Sequence, residues 1–116
     1  QFLACYVKLA QPDYKGTLSG GRSVVFEAKH TDSDRIERKA TTQQQMDRLE
    51  MHYSLGGWAF VLVSFGLTSF YRIPWPVWRD MKAKYGRQYI KQDELAKYKV
   101  AYRNGILHLL IDKPEK

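Results

Sequence analysis

The chain has 116 residues, 44% of them hydrophobic, and carries 19 Lys and Arg against 12 Asp and Glu, a formal charge of +7 with an isoelectric point near 9.6. That length fits one domain, and a basic balance in so small a chain favours a polyanionic partner, nucleic acid first. The lone cysteine, Cys5, excludes an internal disulfide framework or a cysteine-based zinc site; no run approaches the roughly 18 apolar residues of a membrane helix, and no signal peptide is present, so a reducing, cytoplasmic setting without membrane contact is expected.

Phe2 to Leu9 reads as a strand, interrupted by Gln11-Pro12 because the residue before proline is pushed toward extended conformations. The chain opens at Gln1 without a methionine, so an upstream element is expected to be missing. Tyr14 to Leu18 can pair with Arg22 to Ala28 across Ser19-Gly20-Gly21 as a hairpin. His30 to Ala40 has no apolar period and reads as a loop, a candidate lid or DNA-facing segment. Thr41 to Leu55 reads as a helix, with Thr42 and Gln45 spaced for a capping box, Met46, Leu49 and Tyr53 as its buried stripe, and Gly56-Gly57 as its end.

Trp58 to Phe65 is a continuous apolar run, predicted as a central strand buried on both faces, and Ser69 to Ile73 is a second strand. Pro76 to Tyr85 is predicted as a helix, with Gly86 as its stop, and Asp93 to Tyr98 as a short helix. Asn104-Gly105 signals a turn before a last strand, Ile106 to Ile111. The order β-β-β-α-β-β-α-(α)-β defines a single α/β domain over 1–116, with a mixed central β-sheet flanked by helices.

Asp13 stands at the start of one arm of the hairpin, and Glu27-Ala28-Lys29 closes the apolar run Val24-Val25-Phe26 on the other. Residues two apart in a strand share a face, so Glu27 and Lys29 point together. Two carboxylates and a lysine at one point suit a hard cation and a phosphate: Asp13 and Glu27 as oxygen ligands, the Ala28 carbonyl as a further one, Lys29 on the phosphate or the attacking water. A solvated Glu–Lys arrangement on a sheet edge is the competing account of Glu27 and Lys29. Gln45 has two readings, partner of Thr42 in the cap or metal-site residue, and both use the same carboxamide.

Pro12-Asp13 followed by Glu27-Ala28-Lys29 resembles the PD-(D/E)xK nuclease signature. Asp13-Tyr14-x-Gly16, Val25-Phe26-Glu27-Ala28-Lys29, the glutamine-rich helix and Gly56-Gly57-x-Ala59-Phe60 are together similar to RecU-type Holliday junction resolvases, short bacteriophage versions included. The resemblance implies a restriction-endonuclease-like core and a homodimeric, Mg²⁺-dependent endonuclease, with Mn²⁺ able to substitute, that resolves four-way DNA junctions in recombination and repair. Asp13, Glu27 and Gln45 would then be metal-site residues and Lys29 the transition-state stabiliser. Gln11 departs from the threonine of relatives. The N-terminal helix of the family would lie before Gln1, and only Ala10-Gln11-Pro12 separates Leu9 from Asp13, where relatives carry a projecting stalk.

Residues 71–103 hold nine Lys and Arg against three Asp and Glu, most of the net charge. Arg79, Lys82, Lys84 and Arg87 there, Arg35, Arg38 and Lys39 in the loop, and Lys8, Lys15 and His30 beside the proposed site are the candidate phosphate contacts. Arg79 and Lys82 are expected on one side of one helix. Trp75 and Trp78 read as core or dimer contacts, and His30, His52 and His108 do not cluster as metal ligands. Two other functions remain open from the residues: another nuclease of this fold acting on duplex or DNA ends, and a non-catalytic DNA-binding protein. The last leaves Asp13 and Glu27 unexplained, since carboxylates beside a DNA path repel phosphate unless a cation intervenes.

Overall fold

The computed structural model describes residues 8–10, 13–18, 20–67, 69–103 and 106–107, with the backbone alone for 8–10, 13, 14, 102, 103, 106 and 107. Cys5, Gln11, Pro12 and most of the first and last expected strands lie outside the described residues.

Six strands form the main sheet. β1 (Lys8–Ala10), β2 (Asp13–Thr17) and β3 (Ser23–Thr31) meander antiparallel. The β2–β3 turn uses Gly20 and Gly21 at φ of 102° and 97°, values that β-carbon sterics deny most residues, as the hairpin reading required. α1 (Gln43–Ser54) then crosses over, so that β5 (Trp58–Phe65) returns parallel to β3 over eight paired residues. β6 (Ser69–Pro74) and β8 (Lys99–Val100) complete the order β1-β2-β3-β5-β6-β8, antiparallel to their neighbours. The sheet is mixed and flanked by helices, the architecture expected from the element order.

Burial follows the period-two rule. On the helix-covered face, Val25, Ala59, Val61, Val63, Phe65, Tyr71 and Ile73 join Leu49 of α1, and Trp75, Trp78 and Met81 beyond it, in the main core. The opposite face carries a smaller cluster of Leu18, Val24, Trp58, Phe60 and Leu62, with Phe26 stacked on Phe60 at 4.9 Å. Trp75 and Trp78 are core residues, and their indoles donate to Glu50 Oε1 (2.7 Å) and Thr41 Oγ1 (3.0 Å).

α1 begins as the Thr42–Gln45 pair dictates. Gln45 N–H donates to Thr42 Oγ1 (3.1 Å), and Thr42 N–H donates to Gln45 Oε1 (2.9 Å). It ends at the two glycines: Gly56, at φ 93°, donates to Tyr53 O, and Gly57 donates to His52 O, the paired bonds of a Schellman stop.

Three expectations are corrected. Residues 30–40 are not an open loop. β3 runs on to Thr31, and β4 (Arg35–Glu37) pairs antiparallel with β7 (Tyr89–Lys91), burying Ile36 against the core with Ile90, before a 3₁₀ turn at Arg38–Ala40. One apolar residue in a polar stretch leaves no period, yet it suffices to fix a three-residue strand once Tyr89–Lys91 offers its edge. The helix expected over 76–85 is two, α2 (Trp75–Arg79) and α3 (Met81–Tyr85), broken at Asp80. Asp80 stands between them at φ −98° and ψ 31°, its carboxylate accepting from Arg79 Nε and Nη2 at 3.0 and 3.1 Å, and Arg79 and Lys82 lie on separate helices. Residues 93–98 form two 3₁₀ turns, Gln92–Glu94 and Ala96–Tyr98; β9 (Tyr102–Arg103) and β10 (Ile106–Leu107) pair antiparallel across the expected turn.

Candidate active site

The β2–β3 register sets Asp13 directly opposite Glu27, and the β3–β5 and β5–β6 registers continue that rung to Val61 and Ile73. Among the described residues β2 begins at Asp13, and β3 runs four residues past its last described β2 partner. Glu27 thus sits at the last described rung of that antiparallel ladder, with Ala28 just beyond it on β3.

Glu27 is on the helix-covered face and fully buried, beside Val25 and under α1. A buried carboxylate is expensive without a compensating charge. Arg48 of α1 brings one: its Nη1 lies 3.8 Å from Glu27 Oε2, an ion pair too long to be a hydrogen bond. Gln45 and Leu49 bury on the same side of α1, at 5% and 0% exposure, which places Gln45, Arg48 and Leu49 on the stripe that faces the sheet. Lys29 follows two residues on, half-buried and on the face of Glu27.

Gln45 forms the capping box, its Oε1 receiving the Thr42 N–H. A carboxamide oxygen has two lone pairs, so one acceptor site remains there. Arg48 is the residue that the sequence reading missed. Its signal was available, three positions after Gln45 and next to Leu49 on one helical stripe.

The candidate phosphate contacts divide. Lys15, Lys82 and Lys84 are exposed, and Lys8 stands opposite Lys15 in the β1–β2 register. The others are tied into the protein. Arg79 Nη1 donates to Glu50 at 3.1 Å and Arg79 also grips Asp80; Arg87 Nη2 grips both oxygens of Glu94 at 2.9 and 2.7 Å; Arg38 Nε donates to Trp78 O. Arg35 pairs with Asp34 and lies over Tyr89, and Lys39 pairs with Glu37. His30 is on the face opposite Glu27, its ring between Ser64 Oγ (2.7 Å) and Asp32 Oδ1 (2.9 Å). The Glu50 carboxyl is held below its ordinary range, first by the Trp75 indole N–H and then by Arg79. Asp80 is lowered, and Arg79 raised, by their mutual hydrogen bonds.

Among the described residues no three His, Cys, Asp or Glu come together as a metal cluster, and no helix is long and apolar enough to cross a membrane. The fold is an α/β domain with a mixed sheet flanked by helices, in a strongly basic chain. The chain belongs to the recombination protein U family: the family model, RecU, matches residues 2–111, nearly its whole length. Membership in that family implies Holliday junction resolvase activity and a nuclease acting on DNA. Among curated proteins, none gives a significant match.

Proposed function

We propose that the chain is a divalent-metal-dependent endonuclease that cuts four-way DNA junctions at the Asp13–Glu27 rung, working as a homodimer in the cytoplasm. The observation that carries this reading is the register that sets Asp13 opposite a fully buried Glu27 at the end of the β2–β3 ladder. Residues directly opposite in an antiparallel pair have Cβ atoms about 5 Å apart, a spacing that one cation can bridge.

The donor set fits Mg²⁺ or Mn²⁺: two carboxylates, a carbonyl in the Ala28 region and the second lone pair of Gln45 Oε1 are all oxygens, and such an ion keeps several waters of its own. Bound there, the ion would supply an activated water and relieve charge on the phosphoryl oxygens. Asp13 and Glu27 would hold the cation. Lys29, next along the same face, places an ammonium charge against the phosphate as negative charge builds on it. Lys15 with Lys8 on the neighbouring rungs, and Lys82 with Lys84, supply sequence-independent phosphate contacts.

The test is nicking of a synthetic four-way junction in Mg²⁺ and in EDTA, with duplex as comparator. Activity that survives Glu27→Ala or Lys29→Ala, or that needs no divalent ion, overturns the assignment. Equal cutting of duplex and junction would shift it to a less selective nuclease of the same fold.

A further inference from the structure

A second feature lies away from the Asp13–Glu27 rung. β8 pairs only with Phe70 and Tyr71 of β6, so the β6 edge from Arg72 to Pro74 has no strand beyond it among the described residues. A cavity of about 320 Å³ adjoins this stretch, with Arg72 of β6, Trp58 of β5 and the Lys97–Lys99 segment among its walls. Its charge is one-sided: Arg22, Arg72, Lys97 and Lys99 line it, and none of the described lining residues is Asp or Glu.

Its walls are also flat. The Arg72 guanidinium lies 5.1 Å from the centre of the Trp58 ring, and Lys97 Nζ lies 5.4 Å from that of Tyr98. Tyr53 lines the cavity too, at 40% exposure. Rings and a guanidinium plane stack on any nucleobase, because every base has a π-face. The volume is at the lower end for small-ligand cavities, room for one base and too little for a duplex.

We propose that this cavity takes a single unpaired nucleotide of a DNA strand, its base among Tyr53, Tyr98 and the Arg72–Trp58 stack and its phosphates on Lys97 and Lys99. The proposal extends the reading above and rests on the chain acting on DNA, not on the metal or on the roles of Asp13, Glu27 and Lys29. On the sheet grid Trp58 pairs with Val24, three residues before Glu27, and β6 is two strands from β3. At about 3.3 Å per residue and 4.8 Å per strand, cavity and rung are offset by roughly 10–15 Å in the plane of the sheet, with Trp58 on the face opposite Glu27. A base at a branch point is already partly unstacked, so withdrawing it costs less than from a continuous duplex. The cavity would thus favour branched over regular DNA.

The experiment measures binding by fluorescence anisotropy in EDTA, where no strand is cut. The probes are a short oligothymidylate, a duplex of equal length and an abasic strand of equal length. The wild-type chain is compared with Lys97→Ala/Lys99→Ala and, separately, Tyr53→Ala, each first checked for an unchanged melting curve. The lysine pair is expected to lose about tenfold in oligothymidylate affinity, with a much smaller change for duplex. Tyr53→Ala is expected to weaken the oligothymidylate and leave the abasic strand unchanged. Equal losses on duplex and single strand would make the patch an ordinary phosphate-tracking face and overturn the proposal. Unchanged DNA binding with an altered sedimentation coefficient would overturn it in favour of a contact between copies of the chain. Failure of Mg²⁺-dependent nicking, by contrast, would touch only the active-site reading.

Discussion

Arg48 Nη1 stands 3.8 Å from Oε2 of Glu27, so the buried carboxylate on β3 and a guanidinium on α1 face each other with the helix–sheet seam between them. The Arg48 side chain is 27% exposed and that of Glu27 fully buried. A partly wet cation therefore balances a dry anion, a place where a metal ion would be a rival partner. Arg48→Met should destabilise the metal-free chain by about 1–3 kcal/mol, below the cost of breaking a fully buried pair because Arg48 is part-exposed. Mg²⁺ or Mn²⁺ should then raise the melting temperature of Arg48→Met more than that of the wild type. Equal shifts in the two proteins would separate Arg48 from the ion.

Glu27→Gln keeps the shape of the side chain and removes its charge from the core. Thermal unfolding in EDTA should show stability held or raised, since a neutral amide is cheaper to bury than a carboxylate. Junction nicking should fall by at least about a hundredfold. Function and stability would thus pull in opposite directions at one buried atom pair, as expected where a site keeps a costly group.

The two roles of Gln45 separate by substitution. Thr42→Ala removes the cap alone and should cost about 1 kcal/mol in urea unfolding with nicking unchanged. Gln45→Glu retains the capping-box chemistry. If Gln45→Ala lowers nicking well beyond Thr42→Ala at matched stability, the carboxamide serves the metal site; if the two match, it serves only the helix.

Gly57 is required by space. A β-carbon there would lie 2.6 Å from Ser23 Oγ and 2.9 Å from the His52 carbonyl oxygen, at the point where β3, β5 and the end of α1 meet. The backbone carbonyl cannot step aside cheaply, so Gly57→Ala should cost about 1–3 kcal/mol by chemical denaturation.

Acid should loosen the α1–α2 contact. Glu50, bonded by the Trp75 indole and Arg79, titrates below its ordinary range in the folded chain. Its contribution is present above the unfolded carboxylate pKa and lost as pH falls through the lower, folded value. The melting temperature should therefore drop below about pH 4.5, and Glu50→Gln should flatten that part of the profile. The effect is small, because the Glu50 carboxylate is about half exposed.

Local patterns carried much of this chain. The glycine hairpin, the capping box, the paired glycines after α1 and the eight-residue apolar strand each rest on residues within a few positions of one another, where sterics and periodicity act directly. Asp13 and Glu27 could be placed on one hairpin for the same reason. The family resemblance read from their ordered motifs agrees with the family match over 2–111.

What tertiary structure decided was every pairing between distant segments. Ile36 becomes a strand residue only because Ile90 lies across from it, a contact spanning fifty-odd positions that no window of sequence reveals. The break at Asp80 falls inside a local pattern that runs helical through it. Arg48 meets Glu27 only because α1 lies over β3. Burial of Glu27 gave it a partner, because a charge withdrawn from water is governed by what packs against it and not by its neighbours along the chain.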